Sequence, residues 1–167
     1  QDIEMSEKDF ADFCSKHTLT PLELIAYDKE FIRLGFRDIA RDIDERTAIF
    51  SLLPQGFGGG NTIWCNVPKR YEKVEEKIKI QSVEIEKIAF ALGVFNSMVV
   101  DFVVRSMVQI HLNKTYISRI PFPQPTAEEI RNSPLYTTIA RNALALQLYN
   151  DKKGHFQVLS SLFGSED

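Results

Sequence analysis

Residues 88–104, IAFALGVFNSMVVDFVV, decide the fold of this chain because they are apolar on nearly every side. The pattern predicts one long helix over 82–108, with Ser82 as its N-cap. A helix that is apolar all round is buried in protein or in lipid. Asn96 and Asp101 interrupt the run, and a carboxylate is costly inside a bilayer. We therefore expect this helix to lie in a protein core.

Three segments with the composition of β-strands precede the helix. Residues 31–40 alternate in side-chain type, 47–53 are rich in β-formers and stop at Pro54, and 62–67 stop at Pro68. Alternation and such boundaries are typical of strands, and the first two segments are predicted to pair in antiparallel fashion. The sequence thus predicts a sheet directly before the apolar helix.

Other segments complete the predicted architecture. The charged residues 73–81 are interpreted as a linker or a helix start, and residues 115–118 as a fourth short strand. Thr126 is a good N-cap for a further helix, and 135–150 show one apolar helical face. Together these features predict an α+β fold: a curved, mostly antiparallel sheet packed on a long buried helix, with a helical C-terminal part.

Length and charge suggest how the chain is organised. Its 167 residues are one domain's worth, and 44% of them are hydrophobic, which is enough for a core. We divide it into an N-terminal helical lead-in (1–28), a core (29–125) and a C-terminal helical segment (126–167). Residues 1–28 contain 2 basic and 7 acidic residues, residues 29–125 contain 14 and 11, and residues 126–167 contain 4 and 5. The net charge of the whole chain is −3, but residues 29–125 carry a net positive charge. This charge permits DNA binding without requiring it.

The cysteines and the first residues bear on the origin of the chain. Cys14 and Cys65 are far apart, which is neither a disulfide framework nor a zinc spacing, so a cytoplasmic location is expected. The sequence begins at Gln1 without a signal segment, which favours a piece of a longer protein.

Motifs that could carry chemistry are weak. The glycine-rich residues 56–60 are followed by a predicted strand, which indicates a hairpin loop rather than a phosphate site. Glu75–Glu76–Lys77 matches the Glu-x-Lys of metal-dependent nucleases, but it lies in a charge-rich stretch that favours a solvated surface. The acidic residues 42–45 are interpreted as a turn. We expect no catalytic, cofactor-binding or metal-binding residue here.

Arginines at regular spacing are the first candidates for binding. Arg33, Arg37 and Arg41 recur every four residues, so they share one face of a strand or a helix. They could clamp phosphates and contact guanine, or form salt bridges with neighbouring aspartates. Arg46 is expected to stabilise the turn through the carboxylates of 42–45. The predicted DNA-binding residues are Arg33, Arg37, Arg41, Lys69, Arg70, Asn113, Lys114 and Tyr116.

Three short strings resemble those of a known family. They are residues 37–41 (RDIAR) leading into 45–49 (ERTAI), then Phe95-Asn96-Ser97 with Asp101-Phe102, and finally 120–123 (IPFP). In this order they resemble the C-terminal target-recognition (specificity) domain of type II, type IIG-like, restriction–modification enzymes and adenine-specific DNA methyltransferases. The resemblance covers about residues 31–125. It implies that the helix over 84–105 packs on a curved sheet and that 120–123 lead to helices that connect domains.

Departures from that family limit what the chain could do by itself. It has neither the Asn-Pro-Pro-Tyr string that holds a flipped adenine nor the Phe-x-Gly-x-Gly cofactor loop. The resemblance therefore implies a non-catalytic domain that binds double-stranded DNA beside a methyltransferase domain of the same polypeptide. The parent would use S-adenosylmethionine, and Mg²⁺ if it cuts DNA. The alternative is a protein-interaction or scaffold domain of a larger protein.

Overall fold

A three-stranded sheet forms one side of the molecule. The structure, a computed structural model, describes residues 12, 15, 16, 26–74 and 77–162, with the backbone alone for 73, 74, 77 and 78. Strands β1 (Arg33–Arg37), β2 (Phe50–Leu53) and β3 (Ile63–Cys65) lie in the order β2-β1-β3, and both outer strands are antiparallel to β1. The antiparallel pairing of the first two predicted strands is confirmed, although each strand is shorter than predicted.

The glycine-rich residues 56–60 do not close a hairpin, contrary to the sequence-based prediction. Because β1 lies between β2 and β3, the connection over 54–62 crosses from one edge of the sheet to the other. Gly56 takes a φ of +83°, which is the left-handed region that glycine adopts without strain. As predicted, a strand and not a helix follows the loop.

A two-stranded antiparallel ribbon follows the sheet. Strands β4 (Lys69–Val74) and β5 (Lys77–Ser82) pair from Lys69 opposite Ser82 to Val74 opposite Lys77. The prediction of a linker or helix start over 73–81 was therefore wrong. The alternation of lysine and isoleucine over 77–80 has the period of a strand, but the surrounding charges obscured it.

The apolar run forms two helices and not one. Helices α1 (Ile85–Phe95) and α2 (Met98–Met107) meet at a bend of 65°. Asn96 leaves the helical conformation, and the Ser97 hydroxyl accepts a hydrogen bond from the N–H of Val100, so Ser97 is the N-cap of α2. The predicted single helix over 82–108 was wrong, and Ser82 ends β5 instead of capping a helix. Within the described residues no single helix is both long and apolar enough to cross a membrane, and α1 and α2 meet that test only as a bent pair.

Three further α-helices follow α2 in the part of the chain that the structure describes, and a 3-10 helix spans Gln157–Leu159 after them. Residues 114–117 form helix α3 (Lys114–Ile117) and not the predicted strand, because the Asn113 side chain accepts from the N–H of Thr115 and starts a helical turn. Helix α4 (Ala127–Asn132) begins at a capping box of Thr126 and Glu129, and α5 (Pro134–Tyr149) begins after Ser133. The two predicted C-terminal helices are thus confirmed, as is the α+β class.

A column of aromatic rings connects the sheet with the helices. The rings of Phe36, Phe50, Phe95 and Phe122 follow one another with centroid distances of 5.1, 4.9 and 4.8 Å. Aromatic pairs at such distances contribute about 1 kcal/mol beyond the area that they bury. Phe122 comes from the IPFP string, so the extended exit at 121–125 is packed against α1.

Helices α1 and α5 approach closely at Gly93. A Cβ atom at this position would lie 2.7 Å from Ile139 Cγ2 and 2.9 Å from the Ile139 carbonyl oxygen. The second of these atoms belongs to the backbone and cannot rotate away. Glycine inside a helix costs about 1 kcal/mol relative to alanine, so its use here is explained by the helix contact.

We expect Gly93→Ala to lower the free energy of unfolding. Overpacking costs about 1–3 kcal/mol, and the better helix propensity of alanine offsets about 1 kcal/mol of it. Urea unfolding should therefore show a net loss of about 1 kcal/mol. Gly60→Ala is the control, because a Cβ there meets nothing within 4 Å. A Gly93→Ala protein more stable than the parent would contradict the close packing of α1 and α5.

The buried carboxylate of Asp101 holds the turn between β1 and β2. Asp101 is 3% exposed, and its Oδ1 accepts from the backbone N–H groups of Thr47 and Ala48, each at 2.8 Å. Arg46 and Arg105 form ion pairs with the two carboxylate oxygens at 3.4 and 3.2 Å. A buried carboxylate is tolerated when its charge is paired and its lone pairs are hydrogen-bonded, and both conditions are met here.

Asn96 holds the neighbouring strand in the same manner. Its Oδ1 accepts from the N–H of Phe50 at 3.0 Å, and its Nδ2 donates to the carbonyl of Phe50 at 2.9 Å. The side-chain amide thus replaces a strand neighbour at the edge of β2. Further along this edge, Gln147 Oε1 of α5 accepts from the N–H of Leu52 at 3.2 Å. Side chains from the helices therefore occupy an edge that could otherwise pair with another chain.

We expect Asp101→Asn to destabilise the fold by about 3 kcal/mol, because removal of one charge from a buried ion pair leaves the others uncompensated. Burial raises the pKa of Asp101, but the hydrogen bonds from Ala48, Arg105 and Thr47 and the charge of Arg46 outweigh it, so the pKa lies below its usual value. A lowered pKa in the folded state stabilises the protein above about pH 4, and this contribution is lost as the pH falls through the folded value.

Urea unfolding of both proteins from pH 7 down to pH 2 measures this effect. The stability difference should be full at pH 7 and shrink below about pH 4. Asp42→Asn, a change of an exposed carboxylate in the same turn, should change stability by less than about 0.5 kcal/mol. Equal stability of Asp101→Asn and the parent at pH 7 would exclude this role of Asp101.

Candidate nucleic-acid interface

The first candidate, Arg33, lies inside the protein. It is 6% exposed, and its Nη2 donates a hydrogen bond to the carbonyl oxygen of Phe57 in the glycine-rich loop. Lys69 is similarly enclosed, with its Nζ 2.6 Å from Asp28 Oδ1 and hydrogen-bonded to the Ala26 carbonyl. Contact of either side chain with DNA stays a prediction, one that would require the side chain to leave these partners.

Arg37 and Arg41 share one carboxylate. Asp44 Oδ2 lies 3.0 Å from Arg37 Nη2, and Asp44 Oδ1 lies 3.2 Å from Arg41 Nε. The hydrogen bond from the Arg41 backbone N–H and the charges of both arginines outweigh burial and lower the pKa of Asp44. The salt bridges considered as the alternative role of these arginines are present. Arg37 is half-buried, whereas the Arg41 side chain remains exposed.

Arg46 has a different partner from the one predicted. It does not stabilise the turn through the carboxylates of 42–45. Its Nη2 donates to the carbonyl of Asn96 at 2.7 Å and its Nε pairs with Asp101. The 42–45 turn instead offers backbone carbonyls, those of Asp42 and Glu45, to Arg105 at 2.8 and 2.9 Å. The prediction failed because the partners of both groups are distant in sequence: Arg46 binds Asn96 and Asp101, and the turn binds Arg105.

The loop before α3 joins the segment that carries Arg41. Ile39 pairs with His111 in an antiparallel bridge, and His111 Nδ1 lies 3.1 Å from Asp38 Oδ2. Lys114 follows on this segment and is exposed. The structure therefore brings two predicted cations, Arg41 and Lys114, onto neighbouring segments.

The other predicted residues of this region have structural contacts. Asn113 uses its Oδ1 to cap α3, and Tyr116 is half-buried against the hydrophobic core. Their roles in holding α3 do not require DNA. Lys114 is the member of this group whose side chain is most available to a ligand.

Arg70 projects from the ribbon of β4 and β5. Its side chain is 63% exposed. Its Nε and Nη2 donate to Gln81 Oε1 at 3.0 and 2.8 Å, and its Nε lies 2.8 Å from Glu72 Oε1. Arg70 pairs with Gln81, and Glu72 with Lys79, in the strand register. Opposed residues of an antiparallel pair share a face, so these four side chains form one polar face of the ribbon.

The opposite face of the ribbon carries the less polar side chains of Tyr71 and Ile80. These two residues are opposed in the register, and Tyr71 is half-exposed. Lys79 and Gln81 were not among the residues predicted from the sequence. The signal that could have found them is the alternation over 77–81, which places both residues on the Arg70 face once the segment is recognised as a strand.

The remaining motifs add no cluster of ligands. Glu75 and Glu76 lie outside the described residues. Among the residues that the structure does describe, no group of three or more histidine, cysteine, aspartate or glutamate side chains could hold a metal ion. Burial raises the pKa of the Cys65 thiol, which reduces the thiolate fraction at neutral pH.

No family model matches the chain, and neither the curated proteins nor the solved structures contain a significant match.

Arg33→Ala and Arg70→Ala should separate a structural arginine from a surface one. Loss of the buried Arg33 leaves the Phe57 carbonyl without its donor, so the free energy of unfolding should fall by about 2 kcal/mol. Arg70→Ala removes the same charge from an exposed position and should change it by less than about 0.5 kcal/mol. Urea unfolding compares the two variants, and equal effects would contradict this division.

Proposed function

We propose that this chain is a sequence-specific DNA-recognition domain of a restriction–modification DNA methyltransferase or endonuclease, and that it is non-catalytic by itself. The observation that carries the proposal is the β4–β5 ribbon, which presents Arg70 and Lys79 on a single exposed face. The order of the three strings supports the assignment to this class of enzyme.

The dimensions of a ribbon suit DNA. The major groove of B-DNA, about 12 Å wide, admits a two-stranded β-ribbon as well as a helix. Residues 69–82 contain five basic and three acidic side chains, so the ribbon is positive although the whole chain is negative. Arg41 and Lys114 are further cations that could bind phosphates beside the groove.

Catalysis in this proposal belongs to another domain of the same polypeptide. That domain would be an adenine methyltransferase that uses S-adenosylmethionine, and a parent that also cleaves DNA would need Mg²⁺. A restriction–modification enzyme acts on DNA inside a bacterial cell, so the proposed location is the cytoplasm. The proposed partners are double-stranded DNA and the methyltransferase domain.

A second candidate function, protein interaction, is favoured by the exposed side of α2. Met98, Val99 and Phe102 are 68, 73 and 75% exposed and lie next to one another on the helix. Neighbouring exposed apolar side chains are typical of surfaces that contact protein. A methyltransferase domain or an unrelated partner could cover this side.

Salt-dependent retardation of duplex DNA in a gel tests the DNA-binding function. The chain should retard duplex DNA at low salt and lose affinity steeply as salt is added, because phosphate binding releases counterions. Lys114→Ala should weaken binding to all sequences and reduce the slope of log K against log salt by about 0.9. Lys152→Ala, which removes an exposed cation from the C-terminal part, is the matched control and should leave the slope unchanged.

One outcome would overturn the proposal, and another would remove a single contact from it. Absence of retardation even at low salt would contradict DNA binding and favour the protein-interaction function. An unchanged slope for Lys114→Ala would remove Lys114 from the phosphate contacts while leaving the ribbon as the candidate surface.

A further inference from the structure

We infer that Arg70 contacts a guanine in the major groove, and that Gln81 and Glu72 position its guanidinium for this contact. The inference rests on the proposed function and deepens it, because it names the residue that selects a base. Neither Gln81 nor Glu72 was predicted as a site residue from the sequence.

The ribbon face determines which side chains could meet the bases. Arg70, Glu72, Lys79 and Gln81 lie together on the polar face, whereas Tyr71 lies on the other. A ribbon in the major groove presents one face to the base edges, and the four polar side chains are of the types that contact them. The register opposes Glu72 to Lys79, so the carboxylate lies beside a cation on the side that would meet DNA.

Among the described residues, the contacts of Arg70 leave one edge of its guanidinium available. The Nε–H and one Nη2–H point to Gln81 Oε1, and the Nε side also faces Glu72. Arginine has five N–H donors. The Nη1 protons and the second Nη2 proton therefore lie on the far edge, and this pair of nitrogens matches the O6 and N7 acceptors of guanine.

The contacts with Gln81 and Glu72 preorganise the guanidinium of Arg70 and so lower the entropic cost of binding DNA. An exposed arginine loses rotamer freedom when it binds, at a cost of about 0.5–1.5 kcal/mol. Gln81 and Glu72 fix the guanidinium before DNA arrives, so part of this cost is met during folding. Lysine at position 70 could keep the charge but could not make the planar two-nitrogen contact.

Selection from a pool of random-sequence duplexes tests the inference. The full chain is used at low salt, and the retained duplexes are sequenced. We expect the parent to enrich a motif that contains a G·C pair. Arg70→Ala should lose the preference at that one position and bind the parent's selected duplex about fivefold to about 150-fold more weakly, the range for one bidentate arginine–guanine contact.

Three further variants separate base contact from charge and from folding. Arg70→Lys should also lose the preference, although it keeps the charge. Gln81→Ala should select the same motif with weaker discrimination at the G·C pair. Arg141→Ala removes an exposed arginine from α5 and should select the parent's motif unchanged. Urea unfolding of each variant confirms that it is folded.

The outcomes distinguish this inference from the function on which it rests. An Arg70→Ala protein that selects the parent's motif overturns the base contact and leaves DNA recognition intact. A parent that binds duplexes without any preference overturns the base contact and the sequence specificity together. A parent that retains no duplex at low salt overturns the proposed function itself.

Discussion

The fold depends on one buried charge, the carboxylate of Asp101. The connection between β1 and β2 has few backbone hydrogen bonds of its own, and Asp101 supplies acceptors to two of its N–H groups. Because Arg46 and Arg105 pair with the same carboxylate, the turn is attached to α2 at several points. The bend between α1 and α2 is part of this arrangement, since it lets Asn96 hold β2 while Asp101 holds the turn.

The three strings at 37–49, 95–102 and 120–123 are therefore structural in this chain. Arg46, Asn96 and Asp101 bind one another's segments, and Phe122 of the last string stacks on Phe95 of the second at 4.8 Å. In the proposed DNA-recognition function, the residues that select bases are therefore expected outside these strings, on elements such as the ribbon.

Local signals in the sequence predicted many of the helices and strands, but little of the polar face of the β4–β5 ribbon. The N-cap Thr126 acts within three residues of its helix, so the local sequence reveals it. The break after Phe95 was missed although the N-cap Ser97 is a local signal for it, whereas the pairing of Asn96 with a strand 46 residues away has no local signal. The burial of Arg33 was hidden for the same reason, since its acceptor is a carbonyl in a loop 24 residues further on.

The number of basic residues is a poor measure of DNA binding here because many of them bind the protein's own carbonyl groups. Arg33, Arg46 and Arg105 each donate to backbone oxygens in turns or at helix ends. Guanidinium groups suit this task because one group can serve several acceptors. The same property explains Arg70, whose contacts with Gln81 satisfy part of its donors and, among the described residues, leave one edge open. Whether an arginine stabilises the fold or could meet a base is decided by what its remaining donors face.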